Sequence, residues 1–431
     1  MISTGIRYAV ILLLLAHILI GDHEFLRHCA AEPMERVLFT VEGMPQEVSG
    51  RILTEAQDGG VLLEDRAGRI FNLLPDVITE RQLSEAEFSY LSSTELADAL
   101  QTEFGVGFSS HTTAHYVICF QGAPHYAEFV GRLLEHVHSE YYDFAESFAD
   151  LNLSEANGSL PVIIFETREA FLEAAEKQHP EQDFASTPGF YSTRSNRILL
   201  TNPCTDPQTD TPQKIRKSLQ QSLHHIATVV HEATHQLAHH SGLQIRFADN
   251  PLWFSEGLAL WFEPPAENSK LLWNRPGQVN PLHRTQYLKL FPVSKRGIRD
   301  RQRDSDSDQI TDDQGTPDGS LDQDAESDHN PESDRSGESL TLAELIRSDR
   351  AFQSAQQAGA AYSKSWSLVS YLIRHEREAF GNYLKRSSQR QPLVILTAEE
   401  RELEFREIFG KSPDEFEPLV GQYVVRLRVP R

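Results

Sequence analysis

Residues 229–237, VVHEATHQL, and residues 252–263, LWFSEGLALWFE, decide how this chain is read. The first stretch lies in a longer apolar pattern. Ile215, Leu219, Leu223, Ile226, Val230, Ala233 and Leu237 recur at spacings of three or four, which is one face of an amphipathic helix. Pro212 near its start and Gly242 beyond its end predict the limits of one continuous helix. On it sits His231-Glu232-Ala233-Thr234-His235, an HExxH motif. Four residues turn a helix by ~400°, so the two imidazoles emerge ~40° apart, one turn above the other. Both can then reach a single Zn2+ at ~2.0–2.1 Å. Glu232 points ~100° away from His231, where it can hold water rather than the metal.

A catalytic zinc site needs a third protein ligand and one open position. Glu256 lies 21 residues after His235, on an apolar segment that reads as a second helix. The intervening loop, Ser241 to Pro251, reverses the chain and brings that carboxylate back. Gly257, beside the ligand, is expected to let the HExxH helix and the Glu256 helix approach closely.

HEATHQL followed by WFSEGLALWFE resembles the gluzincin-type zinc metallopeptidases, the HExxH-plus-downstream-Glu group, and looks closest to peptidase-MA-like domains of unknown function in exported bacterial proteins. The specific likeness covers roughly residues 190–265, and a looser one runs on through AAYSKSWSLVSYLI and IFGKSPDEFE. It implies His231, His235 and Glu256 as zinc ligands and Glu232 as general base. It also implies that the hairpin at Gly189–Thr201 offers an edge strand to an extended peptide by β-augmentation. Tyr362, within AAYSKSW, is the candidate donor to the oxyanion of a tetrahedral intermediate; the alternative is a tyrosine packing beside Trp366.

The chain departs from the group in places. Leu260 stands where thermolysin-type enzymes carry an Asp that orients a ligand His. Glu263 is either a carboxylate supporting the site or a surface charge. The Gly-x-Met-Glu-Asn motif of aminopeptidases is absent, and Ala238 and Ser241 exclude the metzincin pattern. His239 and His240 read as an exposed helix end, His224 and His225 as partly exposed, and Trp253, Trp261 and Trp366 as core.

Working outward, the 431 residues allow about three domains. The fold class expected is α+β: a thermolysin-like zincin with an α/β N-terminal subdomain and a helical C-terminal subdomain, preceded by a small β module. Residues 1–31 read as a secretory signal, because Tyr8 to Ile20 is a 13-residue apolar run, too short to span ~30 Å of hydrocarbon. An uncleaved N-terminal anchor is the alternative. Residues 35–80 read as short strands separated by turns, 81–111 as linker and helix, and 112–292 as the α/β subdomain carrying HExxH. Residues 293–339 read as a disordered acidic insertion and 340–431 as the helical subdomain, in which Thr341/Glu344, Thr397/Glu400 and Ser412/Glu415 form capping boxes.

The net charge is −23, and Asp300–Glu338 holds 14 acidic against 3 basic residues, so nearly half of the excess is local. A field of that sign disfavours nucleic acid as a partner. Cys119 and Cys204 remain after a cleavage near Ala31, and their spacing does not decide whether they pair. The expected function is that of an exported zinc-dependent metallohydrolase acting on a peptide or protein substrate. The rival is an inactive zincin-fold scaffold that binds a peptide or cell-wall partner.

Overall fold

The computed structural model describes residues 33–154, 158–180, 182–185, 187–205, 210–291 and 340–428. The expected signal at 1–31 and the acidic insertion at 293–339 lie outside the described residues. The chain divides into two units: Met1–Gly131 with Glu155–Pro207, and Arg132–Ser154 with Gln208–Arg431. Together they are α+β, with two five-stranded sheets.

The first unit contains both sheets. Strands β1 (Pro33–Val41), β2 (Met44–Glu55), β3 (Val61–Asp65), β4 (Ile70–Leu73) and β5 (Ile78–Glu87) form an antiparallel sheet in the order β4-β3-β2-β1-β5. Glu42 and Gly43 both take positive φ, the two-residue reversal that matches strand twist, and Val41 faces Met44 across it. Alternate residues Val37, Phe39, Val48, Val61, Leu63 and Leu73 form the core of this sheet. β5 corrects the expectation of helix and linker after residue 80. Its sequence, ITERQLSEAE, has no apolar alternation because it is a charged outer strand, paired to β1 and pinned by Arg81–Glu35 at 3.0 Å. Helix α1 (Ser93–Phe104) follows, opened by a Ser92/Glu95 capping box, and then β6 (Ser109–Thr112).

The second sheet adds β7 (Tyr116–Phe120), β8 (Leu160–Phe165), β9 (Gly189–Ser192) and β10 (Arg197–Thr201), in the order β6-β7-β8-β10-β9. β7, β8 and β10 run parallel, and the outer strands β6 and β9 run antiparallel to their neighbours. YVICF and LPVIIF are buried at every position, as central parallel strands covered on both faces must be. Val117, Cys119, Ile163 and Leu199 pack with α1 and with α3 (Arg168–Gln178). Cys119 and Cys204 are both free and buried, and burial pushes the Cys119 thiol up to about 12. Helix α2 (Pro124–Glu146) runs from the first unit into the second.

The second unit is helical. It holds α4 (Pro212–Gln221), α5 (His224–His240), α6 (Leu252–Phe262), α7 (Pro281–Leu290), α8 (Leu342–Arg347), α9 (Arg350–Gln353), α10 (Ala358–His375), α11 (Arg377–Ser388), α12 (Ala398–Phe409) and α13 (Pro413–Arg426). The single helix expected through Ile215–Leu237 is two. Ser222 leaves helical geometry at φ −140°, ψ 55°, and its N–H closes a tight turn onto the Leu219 carbonyl. Ile215, Leu219, Ile226 and Val230 stay buried on both sides of the break, so apolar spacing alone does not register it. The three expected capping boxes open α8, α12 and α13. Among the described residues, no helix is long and apolar enough to cross a membrane.

Helix α6 is apolar around nearly its whole circumference, and nine of its eleven residues are buried. Trp253 packs on Tyr383 and Phe405, and Phe254 on Phe380 and Tyr383. Trp253, Trp261 and Trp366 are core, as the sequence suggests. Gly257 has a different role from the one expected. A Cβ there would lie 2.5 Å from Val369 Cγ2 and 2.8 Å from the Ser365 carbonyl oxygen, so the missing side chain admits α10 rather than the HExxH helix.

Candidate metal centre

His231 and His235 emerge one turn apart on α5, and Glu256 sits one turn into α6. The connector between the helices is fixed at both ends. Tyr141 Oη shares a hydrogen bond of 2.9 Å with Ser241 Oγ, and the Leu252 N–H, at the start of α6, donates to Asp349 Oδ1 at 2.9 Å. Arg401 bridges the loop to the same carboxylate, contacting Asp249 and Asp349.

The structure brings together the three residues expected as ligands. His231 Nε2 and His235 Nε2 are 3.1 Å apart, His231 Nε2 is 3.2 Å from Glu256 Oε2, and His235 Nε2 is 3.6 Å from Glu256 Oε1. One ligand atom from each lies within 4.8 Å of the others. Ligands bonded at ~2.0–2.1 Å to a tetrahedral zinc stand about 3.3 Å from one another. The separations, the last two of which end on different Glu256 oxygens, are of that size, and two imidazoles with a carboxylate form a donor set suited to a zinc-sized ion. His239, read as an exposed helix end, is instead half-buried, and burial lowers it to about 3; it does not join the three-ligand group.

Both histidines are held from behind. His231 Nδ1 lies 3.0 Å from Glu263 Oε2, and Glu263 Oε1 accepts from Asn280 Nδ2 at 2.7 Å. Asn280 is 3% exposed, and its Oδ1 caps α7 by accepting from Leu282 N and His283 N. His283 Nε2 stands 3.7 Å from the same Glu263 oxygen. On the other ligand, His235 Nδ1 is 3.4 Å from Ser255 Oγ, which donates to Gln244 Oε1 at 3.2 Å. Each contact places a proton on Nδ1 and leaves Nε2 to face the common point.

The electrostatics follow from burial and mutual contact. Burial pushes the Glu256 carboxyl up, but the charges and hydrogen bonds of His235 and His231 pull it well below the carboxylate range. Glu263 is likewise raised by burial and brought down to about 2 by His231 and His283. His231 is lowered by burial and raised further by Glu256 and Glu263, ending well above its ordinary value. Tyr362, on α10, feels the same carboxylates: Glu256 first, then burial, then Glu232 and Glu263 hold its phenol protonated. Its ring meets Phe352 edge-on at 5.3 Å.

Glu263 was legible only as one of two options, and Ser255, Gln244, Asn280 and His283 not at all. Asn280-Pro281 is a readable helix start, but nothing in the spacing links it to His231.

Over residues 225–315 and 318–394 the chain matches a family described as a protein of unknown function (DUF1570). His231, Glu232, His235, Glu256, Glu263 and Tyr362 all fall within those residues. No curated protein matches the chain.

Proposed function

We propose that this chain is an exported zinc-dependent metallohydrolase of the gluzincin type, with a thermolysin-like zincin arrangement, that cleaves peptide bonds. The observation carrying this reading is the convergence of His231 Nε2, His235 Nε2 and the Glu256 carboxylate, with separations of 3.1 Å between the histidines and 3.2 and 3.6 Å to the two Glu256 oxygens, the size a tetrahedral zinc requires. When bound, zinc lowers the pKa of a water towards ~7 and polarises the scissile carbonyl. Glu232, on the turn between the two histidines and near enough to His231 to act on its charge, takes the proton of the attacking water and passes it to the leaving amine. Tyr362, on α10 and close enough to Glu256 and Glu232 to feel their charges, donates to the developing oxyanion. Within the first unit, β9 is an outer strand of its sheet, an edge of the kind an extended peptide can pair with. Export rests on the apolar run at Tyr8–Ile20.

The inactive-scaffold alternative draws on Leu260. Glu263 occupies the place in the hydrogen-bond scheme that Leu260 leaves vacant, which supports an active site over a relic. Protein purified after zinc-replete growth should carry close to one equivalent of zinc and hydrolyse members of a mixed peptide library. Glu232→Gln should keep the metal and lose at least 10²-fold in rate, the low end of a general-base contribution. Full zinc occupancy with every peptide intact would leave the scaffold standing. Retained wild-type rates in Glu232→Gln would remove the mechanism.

A further inference from the structure

Gly359 sits in the first turn of α10, one turn before Tyr362. Its backbone is ordinary helix without positive φ, so conformation does not demand glycine there. Glycine inside a helix is also less stable than alanine. The missing side chain serves one neighbour. A Cβ at Gly359 would collide with Gln286 Nε2, on α7, and its next nearest atoms belong to the same amide, Cδ at 3.3 Å and Oε1 at 3.8 Å. The obstacle is the far end of a flexible side chain, unlike the backbone oxygen of Ser365 that faces Gly257. Glycine at 359 therefore leaves room for a single carboxamide.

Gln286 is flanked on both helices by residues of the metal centre. One turn before it on α7 is His283, whose Nε2 lies 3.7 Å from Glu263 Oε1. One turn beyond Gly359 on α10 is Tyr362, close enough to Glu256, Glu232 and Glu263 to feel their charges. Residues three apart share a helix face at ~5–6 Å, so the amide stands about one turn from each. Gln286 is half-buried, and among the described residues no hydrogen-bond partner meets its amide. The helix thus carries an unfavourable residue that accommodates a polar group with nothing to bind. Local rules of this kind are broken where function requires it.

We propose that Gln286 is a specificity-determining residue of the metal centre: its amide hydrogen-bonds the backbone of a bound peptide beside the scissile bond, and Gly359 keeps the place open for it. The inference rests on the peptide-cleaving reading above. A carboxamide carries two donors and an acceptor, so it matches either a peptide N–H or a peptide carbonyl and reads the backbone rather than a side chain. A bond of this kind is made alike in the bound substrate and in the transition state. It shows in KM and leaves kcat to Glu232 and Tyr362.

The test uses the zinc-loaded full chain and the oxidised B chain of insulin labelled with fluorescein. Hydrolysis is followed with Glu232 in place, and binding by fluorescence anisotropy in the Glu232→Gln background. Gln286→Ala should raise KM and Kd by about threefold to tenfold, the worth of one neutral hydrogen bond, and change kcat by less than about twofold. Gln286→Met keeps the length and the packing on α10 without the amide, and should lose as much. Gly359→Ala should displace the amide and weaken binding by a similar factor, yet melt no lower than wild type, because only a side-chain tip has to move. Zinc content should be the same in all. Peptide that binds uncleaved, and binds more weakly to Gln286→Met, would remove the hydrolase reading and uphold this inference. Wild-type affinity in a folded Gln286→Met protein would overturn the inference and leave the hydrolase reading intact. No saturable binding to zinc-loaded Glu232→Gln would overturn it as well.

Discussion

His231 Nδ1 and Glu263 Oε2 lie 3.0 Å apart, so the carboxylate that orients His231 comes from seven residues beyond Glu256 rather than from the position of Leu260. Asn280 locks the other Glu263 oxygen at 2.7 Å, which leaves that carboxylate little freedom. Partners of this kind are worth about 10–100-fold in metal affinity. Glu263→Ala should therefore weaken zinc binding by that factor in a chelator competition, and Asn280→Ala by less. Leu260→Asp, buried at 2%, should not restore it and should lower stability instead. Unchanged zinc affinity in a folded Glu263→Ala protein would show that His231 needs no such partner.

Gly257 lies where α6 packs tightly on α10, the helix that carries Tyr362. One Cβ obstacle is the Ser365 carbonyl oxygen, which cannot swing aside as a side-chain tip can. Gly257→Ala should lower the unfolding free energy by about 2–3 kcal/mol in urea titration, an overpacking cost at the upper end of the usual range. Adding Val369→Ala should recover only part of the loss, since the 2.8 Å backbone contact remains. Full recovery would place the whole conflict on Val369.

The sequence made the site legible where chemistry forces spacing. HExxH needs one helix face, and an acidic residue downstream on an apolar helix has few other reasons to be there. The central strands YVICF and LPVIIF were legible because burial on both faces demands unbroken apolar runs. β5 was not, because an outer strand takes its conformation from pairing to β1 and needs no pattern of its own. The break at Ser222 was hidden for the opposite reason: the apolar spacing persists through it. Glu263 was ambiguous because a carboxylate seven residues past a ligand looks the same whether it faces solvent or His231. Only the return of the chain at Asn280 decides between them.

Glu103 gives the first unit a share of its acid sensitivity. Burial raises its carboxyl, but Arg197 lowers it more, so the folded value sits below the ordinary 4.5. A depressed carboxylate contributes stability that is present above its unfolded value and is lost as pH falls from about 4.5 through the folded value. Glu103→Gln should thus be less stable at pH 7, by about 0.5–1 kcal/mol once solvent screening of a 40% exposed carboxylate is allowed for. The gap to wild type should narrow below pH 4.5 in thermal melts. A gap that widens with acid would invert the assignment.

Arg401 ties the connector between the ligand helices to Asp349, the residue that accepts from the first N–H of α6. Arg401 is 9% exposed and Asp249 6%, so removing the cation leaves the Asp249 carboxylate buried and unpaired beside the partly exposed Asp349. Arg401→Leu should cost about 3–5 kcal/mol in global stability. A milder Arg401→Lys keeps the charge but loses the two-pronged grip, and should show faster amide hydrogen exchange confined to residues 242–252. Exchange unaltered there would mean the connector is held by its other contacts, among them Tyr141 to Ser241.

Tyr362 separates packing from catalysis. Its ring packs on Phe352, and Tyr362→Phe preserves that contact, so the melting temperature should move by no more than a degree or two. Zinc content should not change, because the hydroxyl is no ligand in the group formed by His231, His235 and Glu256. If the phenol donates to an oxyanion present only in the transition state, kcat should fall on the order of 10²-fold with little change in KM. In the metal-free chain the charge of Glu256 is the main cause of the raised Tyr362 pKa. An unchanged kcat in Tyr362→Phe, with zinc bound and fold intact, would return Tyr362 to a packing role and leave the oxyanion to another donor.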